Sequence, residues 1–281
     1  MPPAHHSNPV KHILCLTLAA GLAGCAPAPP VAAQAIPNHE AFTRILADVV
    51  QIPLVDYKAL EARHTELTDY LTSLAETSVP RLDAASRDVQ LAFWINAYNA
   101  CMLHRVVENY PLTQVRTGFF GGIVNRVAGR PANSVWQIPD VFSQAFCEVA
   151  GSRRSLDEIE HEIIRPRFQE PRIHFAVNCA ARSCPPIIPS AYTPQELHQQ
   201  LDQAVHRLVR APQHFQLEAG APPVLRLNKV LEWYAEDFGG VEGLVDFLAP
   251  YVDPTLRPIL EDPELKVEFF DYDWTLNDLP R

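Results

Sequence analysis

A histidine and two cysteines lie close together in the middle of this chain, in the order His174, Cys179 and Cys184. A thiolate beside an imidazole is a nucleophile, as in cysteine peptidases and acyltransferases. In this interpretation Cys179 or Cys184 is the nucleophile, and His161 or His174 is the base. One interpretation of these residue types is therefore a thiol-dependent hydrolase or transferase that acts on peptide or ester substrates.

The same residues allow other interpretations. Cys179 and Cys184 could form a redox pair, although their spacing is wider than the two intervening residues usual in redox motifs. With His174 they would supply only three metal ligands and lack the close pairing of zinc sites, so we expect no metal and no cofactor. They could also form a local structural disulfide or remain two unreactive thiols.

A predicted helix positions the imidazole of His161. Ser155 followed by Glu158 is a capping box, which predicts a helix from Ser155 to Arg165. Asp157, His161 and Arg165 are spaced at intervals of four and therefore share one face of this helix. The alternative to a catalytic His161 is a histidine in a charged, solvated helix face.

The cysteines lie in a predicted loop. The segment from Arg172 to Val177 predicts a strand, and residues 178–192, with three prolines, predict a loop. Cys179 and Cys184 both fall in this loop. Loops at strand ends are where functional sites are commonly built, so this placement favours a site here.

The longest predicted helix runs from Asp88 to about Asn109, where Pro111 ends it. It is apolar almost all round, which predicts burial on most sides. Asn96 and Asn99 share one face of it. Because a buried amide needs hydrogen-bond partners, these two either brace loops or line a binding cleft, and Asn96 could orient the catalytic base.

Further helices and strands complete the predicted fold. They are a helix beginning near Asn38, a helix from Lys58 to about Ala75, a helix opened by Thr193, a strand from Val224 to Leu227 and a helix from Lys229 to Asp237. This mixture predicts an α/β or α+β class, with mixed helices around a small sheet. We expect a single globular domain over residues 38–281, with a buried central helix.

The chain ends with the aromatic and acidic run Asp271-Tyr272-Asp273-Trp274. Asp273 could orient a catalytic base or bind a cation or a sugar. A terminal segment of this kind more often docks onto the body of its domain.

The first residues of the chain have the pattern of an export signal. Lys11 precedes the apolar run from Ile13 to Ala20, and Leu22-Ala-Gly-Cys25 follows. This arrangement resembles a bacterial lipoprotein signal, which implies lipidation of Cys25 and removal of residues 1–24. The alternative is an ordinary secretory signal cut elsewhere, for instance after Ala33. Residues 25–37, rich in Ala and Pro, predict an extended tether.

Composition limits the partners. Without residues 1–24 the chain has 33 acidic against 22 basic residues, because Lys11 leaves with the signal, and this net charge of −11 disfavours nucleic acid. Membrane attachment would therefore come from the lipid at Cys25 and not from charge. Four cysteines would remain after Cys15 leaves and Cys25 is lipidated, and they allow three full pairings.

Four ordered motifs carry a family resemblance. They are Phe93–Ala100, Leu156–Arg165, His174–Pro185 and Tyr272–Asn277. Together they resemble the domain of unknown function 547 family, over a core of about residues 80–205. The resemblance implies a bacterial exported protein and no established activity.

These observations predict an envelope lipoprotein, held at the outer membrane and facing the periplasm because Ala26, not Asp, follows Cys25. The favoured function is a binding or scaffolding module with a cysteine-containing loop and an unidentified protein or peptide partner. The alternative is the thiol-dependent enzyme, acting on envelope peptide or ester substrates.

Overall fold

The computed structural model describes residues 35–112 and 131–280. The predicted signal peptide, Cys25 and most of the predicted tether lie outside these ranges. The described residues belong to one compact unit. Among them, no helix is both long enough and apolar enough to cross a membrane.

The described α-helices are α1 (Glu40–Val49), α2 (Tyr57–Ala62), α3 (His64–Ala75), α4 (Val79–Asp83), α5 (Arg87–Val107), α6 (Arg165–Phe168), α7 (Leu197–Val209), α8 (Lys229–Trp233), α9 (Gly240–Leu248) and α10 (Arg257–Leu260). The strands are β1 (Val50–Gln51), β2 (Leu54–Val55), β3 (Cys147–Val149), β4 (Ser152–Arg154), β5 (Phe215–Glu218), β6 (Val224–Leu227) and β7 (Lys266–Phe269). A π-helix covers Glu158–Ile164, and 3-10 helices cover Val135–Gln137, Pro171–Phe175, Ala235–Phe238 and Ala249–Tyr251.

Helix α5 is the buried central helix that the sequence predicts. Ser86 caps its first turn by accepting a hydrogen bond from the backbone N–H of Val89, and every residue from Gln90 to Leu103 is buried. A disulfide between Cys101 and Cys147 joins this helix to β3. The four cysteines after Cys25 therefore form one disulfide and one pair of free thiols, Cys179 and Cys184.

The N-terminal helices pack against α5. In α1 the side chains of Phe42, Ile45, Leu46 and Val49 are buried, as their helical spacing predicts. The helix predicted from Lys58 to Ala75 is divided at Arg63 into α2 and α3.

A second core lies under the three-stranded sheet. Strand β6 is central, antiparallel to β5 and parallel to β7. Helices α7 and α9 cover this sheet with a shared apolar cluster that includes Val205, Leu225 and Leu244. The predicted class, mixed helices around small sheets, is confirmed.

The predicted strand from Arg172 to Val177 is wrong, because residues Pro171–Phe175 form a 3-10 helix. All residues from Ile173 to Asn178 are buried. A short buried apolar run has the same pattern in a strand and in a helix, so periodicity could not separate the two. The side chain of Glu170 caps the segment by accepting a hydrogen bond from the backbone N–H of Arg172.

Two other predicted helices differ in detail. The segment from Ser155 to Arg165 is helical, but the part from Glu158 to Ile164 is a π-helix. π-Helices are rare in proteins, and those that occur often lie at functional sites. The helix predicted to open at Thr193 begins at Leu197, after a turn in which the N–H of Glu196 donates to the carbonyl of Thr193.

Candidate active site

A cavity of about 230 Å³ opens between the π-helix, α8, the loop that contains Cys179 and Cys184 (the cysteine loop) and the C-terminal segment around Tyr272 and Trp274. Its polar lining consists of two thiols, two imidazoles, two carboxyls and three phenols: Cys179, Cys184, His161, His174, Asp157, Glu160, Tyr98, Tyr234 and Tyr272. Its apolar lining includes Trp136, Phe142, Trp233 and Trp274. A concave, largely aromatic pocket with a few convergent polar groups is the usual form of a small-molecule site.

Two buried amides hold the cysteine loop in place. The side chain of Asn178 donates to the carbonyl of Pro185 and accepts from the backbone N–H of Ala180. The N–H of Asn178 in turn donates to the side chain of Asn99 on α5. Ala180 has a φ of 62°, a left-handed conformation that is costly for a residue with a Cβ. These contacts fix the loop tightly enough to impose that conformation next to Cys179.

The two thiols are in direct contact. The Sγ atoms of Cys179 and Cys184 are 3.0 Å apart, and the Oη of Tyr272 is also 3.0 Å from the Sγ of Cys179. The backbone N–H of Cys179 donates to the Sγ of Cys184 over 3.0 Å. Cys179 is partly exposed, whereas Cys184 is buried. A reagent in the cavity would therefore meet Cys179 first.

The environment separates the pKa values of the two thiols. Hydrogen bonding by Cys184 lowers the pKa of Cys179, assisted by Tyr272 and by the backbone N–H of Ala181, while burial and the charge of Glu160 oppose the shift. Burial raises the pKa of Cys184 well above its ordinary value, and the neighbouring Cys179 adds to this. Cys179 is therefore the thiol that ionises first, and Cys184 remains a protonated donor.

The C-terminal segment brings Tyr272 to the thiols. The N–H of Arg182 donates to the carbonyl of Thr275, and the N–H of Ser183 donates to the carbonyl of Asp273. The hydroxyl of Ser183 also accepts from the N–H of Asp273 over 2.8 Å. The terminal segment thus docks onto the cysteine loop, which is the more common of the two outcomes that the sequence allowed.

His174 is fixed by a carboxylate and an aromatic ring. Its Nε2 lies 2.6 Å from the Oδ2 of Asp237, and its ring stacks on Tyr234 with centroids 4.0 Å apart. Arg165 donates two hydrogen bonds to the same carboxylate. The hydrogen bonds from His174 and Arg165 hold the pKa of Asp237 well below its usual range. The charged Asp237 thus occupies Nε2, whereas the Nδ1 of His174 is buried and has no hydrogen-bond partner among the described residues.

The π-helix supplies the acidic wall of the cavity. Glu160 is buried, and Asp157 has its pKa raised by burial. Burial, the charge of Glu160 and a hydrogen bond with Glu160 raise the pKa of Tyr234 far above its ordinary value. His161 is exposed at the rim, where its Nδ1 lies 3.2 Å from a guanidinium nitrogen of Arg165.

Comparison with known proteins matches part of the chain to one family model. Residues 82–209 match the family described as "Protein of unknown function, DUF547". The match supports the domain family that the sequence motifs indicate over about residues 80–205. Comparisons with curated proteins and with solved structures gave no significant match.

The DUF547 segment contains only part of the cavity wall. It includes Cys179, Cys184, His161 and His174, which the sequence selected as catalytic candidates and which the fold brings to one cavity. The remaining part, with Tyr234 and Tyr272, comes from beyond residue 209, as does Asp237, which contacts His174. The catalytic roles of the two cysteines and the two histidines stay predictions.

The residues predicted to bind are placed elsewhere. The amide of Asn96 donates to the carbonyl of Tyr192 and accepts from its N–H, and Asn99 pairs in the same way with Ala176 and Asn178. These contacts match the bracing role that the sequence left open. Asp273 is exposed and accepts a hydrogen bond from the N–H of Thr275, and neither it nor the two asparagines line the cavity.

Sequence reasoning missed four groups that surround the thiols and His174, namely Tyr98, Glu160, Tyr234 and Asp237. Glu160 precedes His161 in the same helix, and only 6% of its surface is exposed. The charged residues around it predict an exposed side chain, so its burial could not be anticipated. The sequence did contain a clue to Tyr98, because this residue lies between Asn96 and Asn99 in a helix that is apolar almost all round. Tyr234 and Asp237 had none, because they reach His174 only through the fold.

Proposed function

We propose that this protein is a thiol-dependent hydrolase or transferase with Cys179 as its nucleophile. The observation that carries the proposal is the environment of the Cys179 Sγ. It lies in a cavity, is contacted by Cys184 and Tyr272 at 3.0 Å each, and has a lowered pKa. A thiol that lies in a cavity and ionises more readily than an ordinary cysteine is what nucleophilic catalysis requires.

The proposed reaction has two steps. In the first, the Sγ of Cys179 attacks the acyl carbon of an ester or amide, the bond to the alcohol or amine breaks, and a thioester forms. The thiol proton passes through Nδ1 of His174 to the leaving group. In the second, His174 takes a proton from water or an acceptor amine, which attacks the thioester, and that proton returns to Cys179.

His174 is the better base of the two histidines. Its Nε2 is held by the charged Asp237, and its Nδ1 is buried without a hydrogen-bond partner among the described residues, so the proposed role requires this nitrogen to meet Cys179 when a substrate fills the cavity. A nucleophile, a base and a carboxylate that orients the base are the three roles of a catalytic triad. His161 instead lies at the exposed rim beside Arg165.

The cavity wall favours a small acyl group with an apolar or planar part. Trp274 contacts both Trp136 and Trp233, with ring centroids 5.1 and 5.8 Å away. Exposed aromatic faces of this kind bind apolar and planar groups. The substrate class we propose is a peptide or ester of the cell envelope that carries such a group.

The test uses p-nitrophenyl acetate, an ester whose cleavage releases a coloured product. We expect a burst of p-nitrophenol and an acetyl group on the peptide that contains Cys179, detected by mass spectrometry. Cys179→Ser should abolish both signals, because a hydroxyl with an ordinary pKa is not ionised at neutral pH. Cys184→Ala is the comparison variant: it keeps the nucleophile but removes the hydrogen bond that lowers its pKa, so acetylation of Cys179 should slow without being abolished.

Two results would overturn the enzyme proposal. One is equal acetylation of the wild-type and Cys179→Ser proteins. The other is a folded, reduced wild-type protein that is never acetylated, which would favour the binding or scaffolding module that the sequence pattern indicates. In that case the same aromatic cavity is the binding site.

A second function is favoured by the contact between the two sulfurs. In thiol–disulfide exchange the thiolate of Cys179 would attack a partner protein's disulfide, and the thiol of Cys184 would resolve the mixed disulfide. The partner gains two thiols, and Cys179 and Cys184 become a disulfide. Incubation with glutathione buffers and mass mapping separates the functions, because exchange removes two hydrogens from the pair and acyl transfer adds an acetyl group.

We also propose that the protein is a lipoprotein of the bacterial envelope, anchored in the outer membrane by lipid at Cys25. The support is the apolar run before Leu22-Ala-Gly-Cys25 and the Ala at position 26. A Cys25→Ser protein should leave the membrane fraction. If it still sediments with membranes, the lipid anchor is wrong.

A further inference from the structure

A second cluster of ligand-type side chains lies apart from the cysteine cavity. His64 is the first residue of α3, His104 lies in the last turns of α5, and Glu108 follows at the end of α5. One ligand atom from each lies within 4.8 Å of the other two. None of the three lines the cysteine cavity.

We propose that His64, His104 and Glu108 bind one divalent transition-metal ion of the zinc class, which joins the start of α3 to the end of α5. Two imidazoles and a carboxylate match the donor atoms that zinc prefers, and three protein ligands leave a fourth position for water or another ligand. Magnesium and calcium are disfavoured because they prefer all-oxygen sites.

The geometry is already close to that of a bound ion. The two imidazole rings have centroids 5.2 Å apart, and the Nδ1 of His104 lies 3.2 Å from the Oε2 of Glu108. Zinc bonds of about 2.0–2.2 Å in a tetrahedron place ligand atoms roughly 3.3–3.5 Å apart. The His104–Glu108 distance is near this value. The two edges to His64 are at most 4.8 Å, and rotation of the His64 side chain would have to shorten both.

An orphaned nitrogen is the independent observation that points to a ligand. The Nε2 of His64 is buried and has no hydrogen-bond partner among the described residues. A buried polar atom without a partner is costly, and in native proteins it commonly marks an ion or a water. A cation at the cluster would satisfy it.

The two arginines next to the cluster have partners of their own and do not occupy the position of the proposed cation. Arg63, next to His64, is paired with Asp48 and Glu66. Arg105, next to His104, donates to the carbonyl of Pro139 and to Gln144. The C-terminal end of α5 carries the negative end of the helix dipole, which favours a cation beside His104 and Glu108.

The experiment titrates zinc into the purified protein by calorimetry, using the Cys179→Ser/Cys184→Ser background so that thiols cannot bind the metal. We expect one zinc ion per chain. His64→Gln and Glu108→Gln should each weaken binding at least tenfold, and His198→Gln, an exposed histidine elsewhere, should not. Cobalt should compete with zinc for this site, and both His64→Gln and Glu108→Gln should weaken its binding as well.

The proposal fails if the background protein binds no zinc, or if binding is unchanged in both His64→Gln and Glu108→Gln. Glu108 is exposed, so its substitution keeps the test valid even if His64→Gln unfolds the helix start. None of these outcomes depends on the acyl-transfer activity proposed for Cys179.

Discussion

The Sγ of Cys179 lies 3.0 Å from the Sγ of Cys184, and the two thiols have pKa values shifted in opposite directions. The partly exposed sulfur is stabilised as a thiolate, and the buried sulfur is stabilised as a thiol. A pair of titratable groups whose environments drive their pKa values apart is a common arrangement where one group reacts and the other assists.

The first prediction concerns alkylation of the reduced protein. Iodoacetamide should modify Cys179 with a pH midpoint below the value of about 8.5 that an ordinary thiol shows, because its thiolate accepts hydrogen bonds. Cys184 should stay unmodified until the protein unfolds. Peptide mass mapping of samples quenched between pH 5 and 10 gives both curves. Faster labelling of Cys184 would contradict the assignment of the nucleophile.

The second prediction concerns the contribution of the Tyr272 hydroxyl to the lowered pKa of Cys179. Tyr272→Phe removes a hydrogen bond to Cys179 and keeps the ring, so the alkylation midpoint of Cys179 should rise. Tyr251→Phe is the matched control, because Tyr251 also loses a hydrogen bond, to Asp202, outside the cavity. An equal midpoint in wild-type and Tyr272→Phe proteins would show that the hydroxyl does not hold the thiolate.

The third prediction concerns the carboxylate that holds His174. Asp237→Asn keeps the shape of the side chain but removes the charge that fixes the proton on Nε2. We expect the acetylation burst to slow by about 10²-fold or more, the lower end of the range that general acid–base groups contribute. The alkylation midpoint of Cys179 should stay in place, because Asp237 does not contact that sulfur. A midpoint that moves as well would indicate general disruption of the cavity.

The same carboxylate gives a stability effect with a defined sign. The pKa of Asp237 is lowered in the folded protein, so its contribution to stability is present above the unfolded value of about 3.9. This contribution is lost as the pH falls through the lower folded value. Asp237→Asn should therefore lower the free energy of unfolding at pH 7. It should also make that free energy, measured by urea denaturation at several pH values, fall less steeply in acid.

The sequence predicts local features well. The buried face of α1, the burial of α5 and the strand β6 each follow from apolar spacing within one segment, and all three are present. The capping residue Ser155 also binds the N–H of Glu158 as expected. These features depend on neighbours a few residues away, which is the information that periodicity and capping carry.

The partners within the site could not be predicted in this way. Asp237 is 63 residues from His174, and Tyr272 is 93 residues from Cys179. Such pairs meet only after the two cores have packed, and no spacing in the sequence encodes them. The disulfide is another example, since Cys101 lies in a helix and Cys147 in a strand that only the tertiary fold brings together.

The fourth prediction concerns that disulfide. Cys101 and Cys147 are 46 positions apart, and closing a loop of this length in the unfolded chain corresponds to roughly 4 kcal/mol of stabilisation in the chain-entropy account. Cys147→Ala should lower the free energy of unfolding by a few kcal/mol. Urea denaturation of wild-type protein with and without reductant provides the control. A loss well below 1 kcal/mol would mean that the reduced helix and strand hold their packing unaided.

The fifth prediction concerns two buried histidines outside the cavity. Burial lowers the pKa of His39 and of His214 to about 4 in each case. In the unfolded chain both should titrate near 6.5, so the unfolded state binds more protons between these values. Stability is therefore complete above pH 6.5 and falls as the pH drops towards 4, by about 3 kcal/mol for each imidazole over the full range.

The measurement is the free energy of unfolding by urea at several pH values between 4 and 7. His39 contacts Tyr70 through Nδ1 at 2.7 Å, and a neutral His39→Gln side chain has no proton to gain. That variant should be less stable at pH 7 yet lose less stability on acidification than the wild type. His198→Gln, at an exposed position, should keep the wild-type slope. If His39→Gln shows the wild-type slope as well, the buried imidazole is not the group that titrates.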